Sequence, residues 1–478
     1  YRRITDYDNN PFKSWRDAFA PHNYIALADH HADRWGIWGF QFPTNDKLPG
    51  DAERVWLTPW DYVSMFLDWL VSAHAQSRAS ARRADAGEHD GLLGDLQALW
   101  DSISDGVENA AHSLLTAALE RFVNMADRDP AVLDVIATAM DRFVIALLQE
   151  TRGLVAGDDD LRRNVEAMEL AAVAVKGLIN DGIVENENGL EALDDEDARA
   201  WLHRHGASDA AVDSALVRGG YDIVFAFEGG NPNRPNLAAG VAIRAMVRMF
   251  LTYRGAIFWK MQAGMGDAVF APAYLVLRER GVKFRFFHAV ADLHVDPDGS
   301  RVDAIDVDVQ ATLKNGDEDY WPLVNVKDLP CWPAEPDYDQ LDQGAALKRR
   351  GIDLESFHTA WQPVERRRLR RGTDFDDVVL GIGVGAFPYI ARELMAAQPR
   401  FRTMVEKLAT VRTMAVQVWL DRDLGGLGWD RPPPVLASYV EPLNTWMDNS
   451  QLIPRERYPE NSVGSIAYFT GPMAGGIE

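Results

Sequence analysis

A glycine-rich turn, Ala263-Gly264-Met265-Gly266-Asp267, contains the residues best placed to take part in chemistry. Gly264 and Gly266 allow positive φ and close approach of the backbone to a ligand. Asp267 is the only ionisable side chain of the turn, and it could act as a general base if burial raised its pKa. The alternative is structural: aspartate at this position commonly caps the helix that follows, or lies in its first turn, where the helix macrodipole favours a carboxylate.

A second glycine run, Gly381-Ile382-Gly383-Val384-Gly385-Ala386, matches the G-x-G-x-x-A pattern of dinucleotide-binding turns. Glycine amides at the start of a helix can bind a pyrophosphate. That pattern also needs an acidic residue at the end of the next strand, about 20 residues on. Here the next strand ends at Asp421, which is too distant. The pyrophosphate interpretation and an alternative based on a family resemblance, given below, both stay open.

Several elements must position these residues. The pattern predicts a helix over 268–281 with Gly281 past its end, an apolar strand over 282–290, and a hairpin that turns at 297–300. Further along, it predicts a buried strand over 375–382, a helix over 388–397 and a two-faced strand over 413–420.

The chain divides by pattern into four segments: 1–75, 76–215, 216–310 and 311–478. The first is loop-rich and aromatic up to 58, with a helix predicted over 60–75. The second is helical between 91 and 181, with helices over 93–125, 131–154 and 161–178 and a charged connector over 78–90. It is typical of a helical insertion. Outside it, the pattern also predicts helices over 194–204 and 238–253 and strands over 320–326 and 465–470.

Composition narrows the functional classes. The formal net charge of −23 argues against nucleic acid and anionic lipid as partners. A single cysteine, Cys331, excludes an intrachain disulfide and is consistent with a reducing cytoplasm. No apolar run reaches transmembrane length, so no integral membrane segment is expected. The histidines at 30–31 and at 203 and 205 have no convincing further ligands nearby, so no metal site is expected.

The order of glycine turn, helix, strand and hairpin resembles the middle of the flavin amine oxidase and phytoene desaturase-like group of FAD-dependent oxidoreductases. The specific part of the resemblance covers 219–309 and 374–446, and the stretches SWRDAFAP (14–21) and TPWDYV (58–63) also look like this group. The resemblance implies an α/β fold: a partial FAD-binding domain, an α+β substrate domain with a mixed sheet, and a large helical insertion.

The resemblance also implies roles for particular residues. Val290 would meet the adenine of FAD through its backbone, and Gly264, Gly266 and Asp267 would lie near flavin and substrate. The segment 375–382 would be the strand that returns the chain to the FAD domain, so Gly381, Ile382 and Gly383 would pass close to the cofactor. A substrate pocket is expected from four further side chains, which are Trp259, Met261, Met265 and Trp419.

Two departures from the group affect the expected function. The N-terminal G-x-G-x-x-G and the C-terminal Gly-Asp segment of the group are not found in these 478 residues. We therefore expect an interior piece of a longer protein, and expect this piece to retain FAD poorly. The strand over 413–420 contains no lysine, whereas flavin amine oxidases commonly place a water-linked lysine there.

The expected function is therefore FAD-dependent, desaturase-like oxidation of a small, largely apolar or amphipathic substrate, with hydride passing to the flavin. A flavin amine oxidase is the alternative within the same class. A non-catalytic binding protein, or an inactive fragment, is the alternative from another class. The oligomeric state is left open by the sequence.

Overall fold

The fold is taken from a computed structural model that describes residues 10–50, 57–59, 61, 63, 65, 130–151, 155, 159–314 and 319–474. The predicted connector over 78–90 and the predicted helix over 93–125 lie outside these residues, as does most of the predicted helix over 60–75.

The strands, in chain order, are β1 (Phe19–His22), β2 (Tyr24–His31), β3 (Arg34–Gln41), β4 (Phe258–Met261), β5 (His288–Val295), β6 (Val302–Val309), β7 (Val324–Val326), β8 (Leu329–Cys331), β9 (Glu365–Arg370), β10 (Thr413–Leu420), β11 (Val435–Ala437), β12 (Thr445–Asp448) and β13 (Ser465–Pro472). The predicted strand over 413–420 is confirmed, and so is the one over 465–470 as part of β13. Of the predicted strand over 320–326, only β7 forms.

The α-helices, in chain order, are α1 (Trp15–Ala18), α2 (Pro130–Thr151), α3 (Asp159–Asn180), α4 (Ala198–Arg204), α5 (Asp209–Val212), α6 (Ala215–Ile223), α7 (Ala239–Phe250), α8 (Ala271–Glu279), α9 (Gly344–Arg350), α10 (Phe387–Ile390), α11 (Arg392–Ala397) and α12 (Pro399–Lys407). A π-helical turn, Gly266–Phe270, leads directly into α8. The helices predicted over 131–154, 161–178, 238–253 and 268–281 are confirmed, with ends shifted by a few residues.

The chain forms two compact units. The first contains Tyr1–Ala20, Met261–Thr410 and Gln451–Tyr458, and the second contains Pro21–Lys260, Val411–Ser450 and Pro459–Glu478. Their boundaries differ from those of the four segments predicted from the sequence. The combination of helices with mixed sheets agrees with the general α/β class.

The second unit is built on a six-stranded sheet in the order β10-β13-β12-β11-β2-β3. Its one parallel pair is β11 with β2, and the other neighbours are antiparallel, so the sheet is mixed. Next to it, α2 and α3 pack against each other through a large apolar core that includes Ile136, Met140 and Val173.

The hairpin of β2 and β3 corrects the prediction that residues 1–58 are loop-rich. Tyr24 to Ala28 is a continuously buried run of β2, which has no alternating pattern to reveal it. In β3, glycines replace side chains that would clash: a Cβ on Gly39 would lie 2.3 Å from the Tyr24 hydroxyl oxygen. The hairpin turns through Ala32 and Asp33, both at positive φ, so no glycine marks the turn in the sequence.

A buried ionic network joins the start of α3 to β2. Asp29 Oδ2 accepts hydrogen bonds from Arg163 Nε at 2.7 Å and from Arg162 Nη2. Arg162 also donates from Nη1 to Glu166 Oε1 at 2.9 Å. Burial raises the pKa of Glu166 to about 7, although Arg162 opposes the shift. The buried Glu166 carboxyl of this network therefore titrates near neutral pH.

We expect Glu166 to make unfolding stability fall as pH rises. Its pKa is about 7 when folded and about 4.5 when unfolded, so the folded chain holds a proton that the unfolded chain releases between these values. The contribution is complete below pH 4.5 and is lost as pH rises through 7, with a size of about 3 kcal/mol. Glu166→Gln should flatten this part of the profile, as measured by denaturant unfolding at pH 5 and pH 8. Identical pH profiles for the two proteins would contradict the assignment.

The first unit contains a three-stranded antiparallel sheet in the order β5-β6-β9, and the short hairpin of β7 and β8. The predicted hairpin over 291–309 is confirmed, with Gly299 at φ +65 in its turn. The predicted strand over 282–290 is largely wrong, because Phe287 adopts φ +58 and β5 begins only at His288. Phe284 and Phe286 pack instead around Tyr274 of α8.

The predicted buried strand over 375–382 is also wrong. No strand pairs with this segment, and Val379 is 97% exposed. Leu380, Ile382 and Val384 do alternate inward, onto an apolar cluster around Leu293 and Phe387. The alternating pattern therefore reflects the burial of every second side chain in an extended segment that does not pair with any strand of the described structure.

Candidate functional site

The glycine turn at 263–267 forms the entry to a helix. Backbone N–H groups of Asp267 and Ala268 donate to Gly264 O at 2.9 and 2.8 Å, so the turn continues directly into the π-helical turn and α8. Neither Gly264 nor Gly266 has the positive φ that the sequence allowed. The conformation of the turn therefore does not require glycine.

Packing within the first unit accounts for both glycines of this turn. A Cβ on Gly266 would lie 3.0 Å from the Cβ of Trp332, and one on Gly264 would lie 3.1 Å from Asp267 Oδ2. The space beside the turn is filled by the protein itself. A cavity of about 10 Å³ remains there, lined by residues that include Phe12, Asp267 and Leu275. It has room for about one water molecule, and none for a flavin ring.

Asp267 lies inside the first helical turn, after the cap position at Met265. Its Oδ1 accepts a hydrogen bond from the backbone N–H of Trp332 at 2.8 Å, which holds the end of β8 against the turn. Burial raises the pKa of Asp267, while hydrogen bonds from Trp332, Cys331 and Gly264 oppose the shift. The side chain thus joins two segments of backbone. Asp267 is a first-turn carboxylate, as one form of the structural alternative expected, and Met265 rather than Asp267 occupies the cap position.

Cys331 is buried next to Asp267. Burial, together with the neighbouring carboxylate, raises the pKa of the Cys331 thiol to about 12. The nucleophilic form of cysteine is the thiolate. The thiol is therefore protonated at neutral pH and acts as a packing group.

The four expected pocket residues are divided between the units. Met261 and Met265 belong to the first unit, where Met261 packs near Phe12 and Met265 is 54% exposed. Trp259 and Trp419 belong to the second unit. There Trp259 donates its indole N–H to Arg254 O at 3.0 Å, and Trp419 is 51% exposed on β10.

A different group of predicted residues does come together in the first unit. The side chains of Val290 and Ile382 pack against one apolar cluster, formed by Leu293, Phe387, Ile390 and Ala391. Gly381 and Gly383 flank Ile382 in the sequence. The structure thus joins the residue expected at the adenine with the segment expected to return past the cofactor.

The backbone of Val290 lies on the open edge of its sheet. Gln310 N donates to Phe287 O at 2.8 Å, so the pairs 287–310 and 289–308 form the hydrogen-bonded rungs of the β5–β6 ladder. Val290 belongs to the intervening pairs, whose N–H and C=O point away from β6. Since β5 is an edge strand, no described residue hydrogen-bonds to this backbone.

Gly381 and Gly383 differ from the glycines of the turn. Neither has a positive φ, and a Cβ built on either would meet no atom within 4 Å. Folding of the first unit therefore gives no steric reason for glycine at these positions. Glycine interior to an extended segment costs conformational entropy. Gly381 and Gly383 therefore leave free space around their backbone, and the nearby Val379 side chain is exposed. This arrangement is expected where a ligand approaches the backbone closely.

A buried polar cluster in the second unit had no sequence signal, because its members are far apart in the chain. Lys260 donates to Asp448 O at 2.6 Å, and its Nζ lies 3.7 Å from Asp448 Oδ2. Burial and the nearby Lys260 lower the pKa of His22 to about 4, so this imidazole is neutral. Its Nε2 has no partner among the described residues. The lysine joins β4 to β12, which is a structural role.

Comparison of the chain with protein-family models and with curated proteins found no match. In the described ranges, no three or more His, Cys, Asp or Glu side chains are grouped so as to hold a metal ion. Among the helices that the structure describes, none has the length and apolar character needed to cross a membrane.

Two substitutions at Asp267 should distinguish the contribution of its hydrogen bond to stability from the contribution of its charge. Asp267→Ala removes the acceptor for Trp332 N–H and should lower the free energy of unfolding by about 1 kcal/mol. Asp267→Asn keeps an oxygen acceptor and removes a half-buried charge, so its unfolding free energy should stay within about 0.5 kcal/mol of the parent. Urea unfolding measures both. Equal destabilisation by the two substitutions would show that the charge, not the hydrogen bond, holds β8 to the turn.

Proposed function

We propose that this protein is an FAD-dependent oxidoreductase that accepts hydride from a small, largely apolar substrate, in the manner of a desaturase. The observation that carries the proposal is the open backbone of Val290, whose side chain packs against the same apolar cluster as Ile382. It supports the position that the family resemblance assigns to the adenine of FAD.

The chemistry of the Val290 backbone fits an adenine ring. Adenine presents hydrogen-bond acceptors at its ring nitrogens and a donor at its exocyclic amine. The N–H of Val290 can donate to a ring nitrogen, and its C=O can accept from the amine. Both backbone groups point out of the same strand edge, so one flat ligand can satisfy both.

The surroundings of Val290 suit a cofactor with a flat ring. Leu293, Phe387 and Ile390 form a buried apolar base beneath the Val290 and Ile382 side chains. The open backbone at Gly381 and Gly383 allows close approach without a Cβ in the way. These residues would bind and orient FAD, which supplies the hydride-accepting chemistry when it is bound.

The glycine turn has a structural role in this proposal, because Asp267 holds the end of β8 against the turn. The carboxylate of Asp267 is engaged by Trp332 N–H, and the adjoining cavity has room for about one water molecule. We assign no proton transfer to Asp267. Desaturation transfers a hydride to the flavin and also releases a proton from the adjacent carbon. Water can accept this proton, so the proposal does not require a carboxylate base.

The amine oxidase alternative is less well supported by β10. The strand that corresponds to the lysine-bearing strand of flavin amine oxidases is Thr413–Leu420, and it contains no lysine. Arg412 precedes the strand, and its backbone C=O accepts a hydrogen bond from Met473 N, at the start of the pairing with β13. The desaturase-like reaction therefore remains the proposed function.

Val290 provides the test, because its N–H is not used within the fold. Val290→Pro removes the proposed donor from an edge position, where proline is tolerated, so the melting temperature should change little. Affinity for added FAD should fall by about tenfold or more, equivalent to the loss of one buried hydrogen bond and a steric obstruction. Titration of flavin fluorescence measures the affinity.

Val290→Ala is the matched control. It keeps both backbone groups, and its FAD affinity should stay within about twofold to threefold of the parent, since only apolar contact is lost. Equal FAD affinity in Val290→Pro and the parent would refute the adenine assignment. Equal loss of FAD affinity in Val290→Pro and Val290→Ala would also refute it, because it would point to damage to the apolar core and not to a backbone contact.

A further inference from the structure

Helix α11 crosses the outer edge of β5 in the first unit. Glu393 Oε2 accepts a hydrogen bond from the backbone N–H of Val295 at 3.0 Å. Arg392, the first residue of the helix, donates from Nη2 to Asp292 Oδ2 of the same strand at 2.7 Å. The helix therefore holds β5 between Asp292 and Val295 and leaves its edge open at Val290.

His294 lies between the two β5 residues that α11 holds, and both of its ring nitrogens contact a carboxylate. Nδ1 is 2.8 Å from Glu393 Oε1, and Nε2 is 3.0 Å from Asp306 Oδ2 on β6. A neutral imidazole has one N–H donor, whereas the imidazolium has two. Only the protonated ring can donate to both carboxylates at once.

Most other charges on the elements packed around His294 are paired with one another. The pairs are Asp292–Arg392, Asp306–Arg368, Asp308–Arg366 and Asp296–Arg301, and Arg370 lies two strands away in the same row as His294. The sequence of α10, FPYI, contains no charged residue. Hydrogen bonds to Glu393 and then to Asp306 raise the pKa of His294, although burial opposes the shift.

We propose that His294 is a pH-dependent clamp that holds the N-terminal end of α11 on the outer edge of β5. With the proton bound, the ring joins Glu393 of the helix to Asp306 of β6. The second oxygen of the Glu393 carboxylate then stays at the Val295 N–H. The clamp thus fixes the position along β5 at which the open edge ends.

Loss of the proton leaves the ring with a single donor. If Nδ1 keeps its hydrogen, the bond to Glu393 loses its charge on the donor side, and Nε2 accepts from Arg368 Nη2, which is 3.1 Å away. If Nε2 keeps its hydrogen, two acceptors face each other at Glu393. Hydrogen bonds with a charged donor are roughly twice as strong as neutral ones, so both outcomes weaken the hold on α11.

The clamp acts on one end of the helix. The other end is fixed at the β5–β6 hairpin turn, where Gln398 Nε2 donates to Gly299 O at 2.5 Å. The Arg392–Asp292 pair does not depend on the His294 proton. We therefore expect local loosening at Glu393 and Val295, without release of the whole helix.

The position of α11 also bears on the apolar base beneath Val290. Phe387 and Ile390, which belong to that base, lie in α10 directly before α11. A firmly held α11 therefore helps to hold the base in place. That the base supports a cofactor rests on the proposed function, whereas the clamp itself does not.

Amide hydrogen exchange at Val295 tests the clamp, with rates corrected for the intrinsic effect of pH on exchange. The pKa of His294 is raised above its ordinary value of 6.5, so the clamp is complete below pH 6.5 and is lost as pH rises through the folded pKa. Protection of the Val295 amide in the parent protein should fall by about fivefold between pH 5.5 and pH 8.5, which corresponds to the loss of charge from one hydrogen bond.

Two histidine variants assign the effect. His294→Gln does not titrate, so its Val295 amide should be equally protected at both pH values. His288→Gln is the matched control, because His288 is the other histidine inside β5 and its Nδ1 lies 2.6 Å from a backbone oxygen, Phe286 O. This control should keep the pH dependence of the parent protein.

A third variant guards against general loosening of the strand. Glu393→Gln keeps an oxygen acceptor for the Val295 N–H but removes the charge that faces His294, so the pH dependence should shrink while the melting temperature stays near that of the parent. Equal protection of Val295 at both pH values in the parent would overturn the proposal. So would an unchanged pH dependence in His294→Gln. No flavin is present in these measurements, so their outcome is separate from that of the proposed function.

Discussion

Antiparallel strand pairing satisfies the backbone groups of alternate residues and directs those of the others to the opposite side of the strand. In the interior of a sheet the next strand uses the second set, and at an edge nothing in the sheet does. In the first unit this constraint leaves Val290 open on β5, whereas further along the same strand Glu393 of α11 accepts a hydrogen bond from Val295 N. The fold thus fixes where the backbone can still bind a ligand.

The second unit also depends on charges that are buried together. Asp29 on β2 is 6% exposed and is held by Arg162 and Arg163 at the start of α3. Burying these groups costs desolvation energy, and the ion pairs roughly offset that cost, so the network adds little net stability. The network instead specifies the position of α3 on β2, since a shifted α3 would leave a buried charge without a partner. That penalty, about 3–5 kcal/mol for one broken buried pair, fixes the helix on the strand.

The sequence predicted those elements whose periodicity matched their burial. Strand β10 was found to the residue, because apolar and less apolar side chains alternate along it. The hairpin of β2 and β3 was missed, since β2 is buried on both faces and Gly39 stands where Tyr24 needs space. The segment 375–382 was assigned to a strand because alternate side chains are buried, yet pairing depends on a neighbour that the local pattern does not specify. Strand order is likewise non-local, so the sequence placed Val290 at the end of a predicted strand but could not show that the strand is an open edge.

The two glycine runs show why a motif alone does not locate a binding site. Both are short, both precede a helix, and from sequence alone the turn at 263–267 was the better candidate for chemistry. In the structure, a Cβ on Gly266 would lie only 3.0 Å from the Cβ of Trp332, so the lack of a side chain serves the protein's own packing. Gly381 and Gly383 face open space without positive φ, so folding gives no reason for the entropy that glycine loses there. A glycine that the fold does not need is more informative about a ligand than one that the fold requires, and this moves the centre of the candidate site from Asp267 to Val290 and its neighbours.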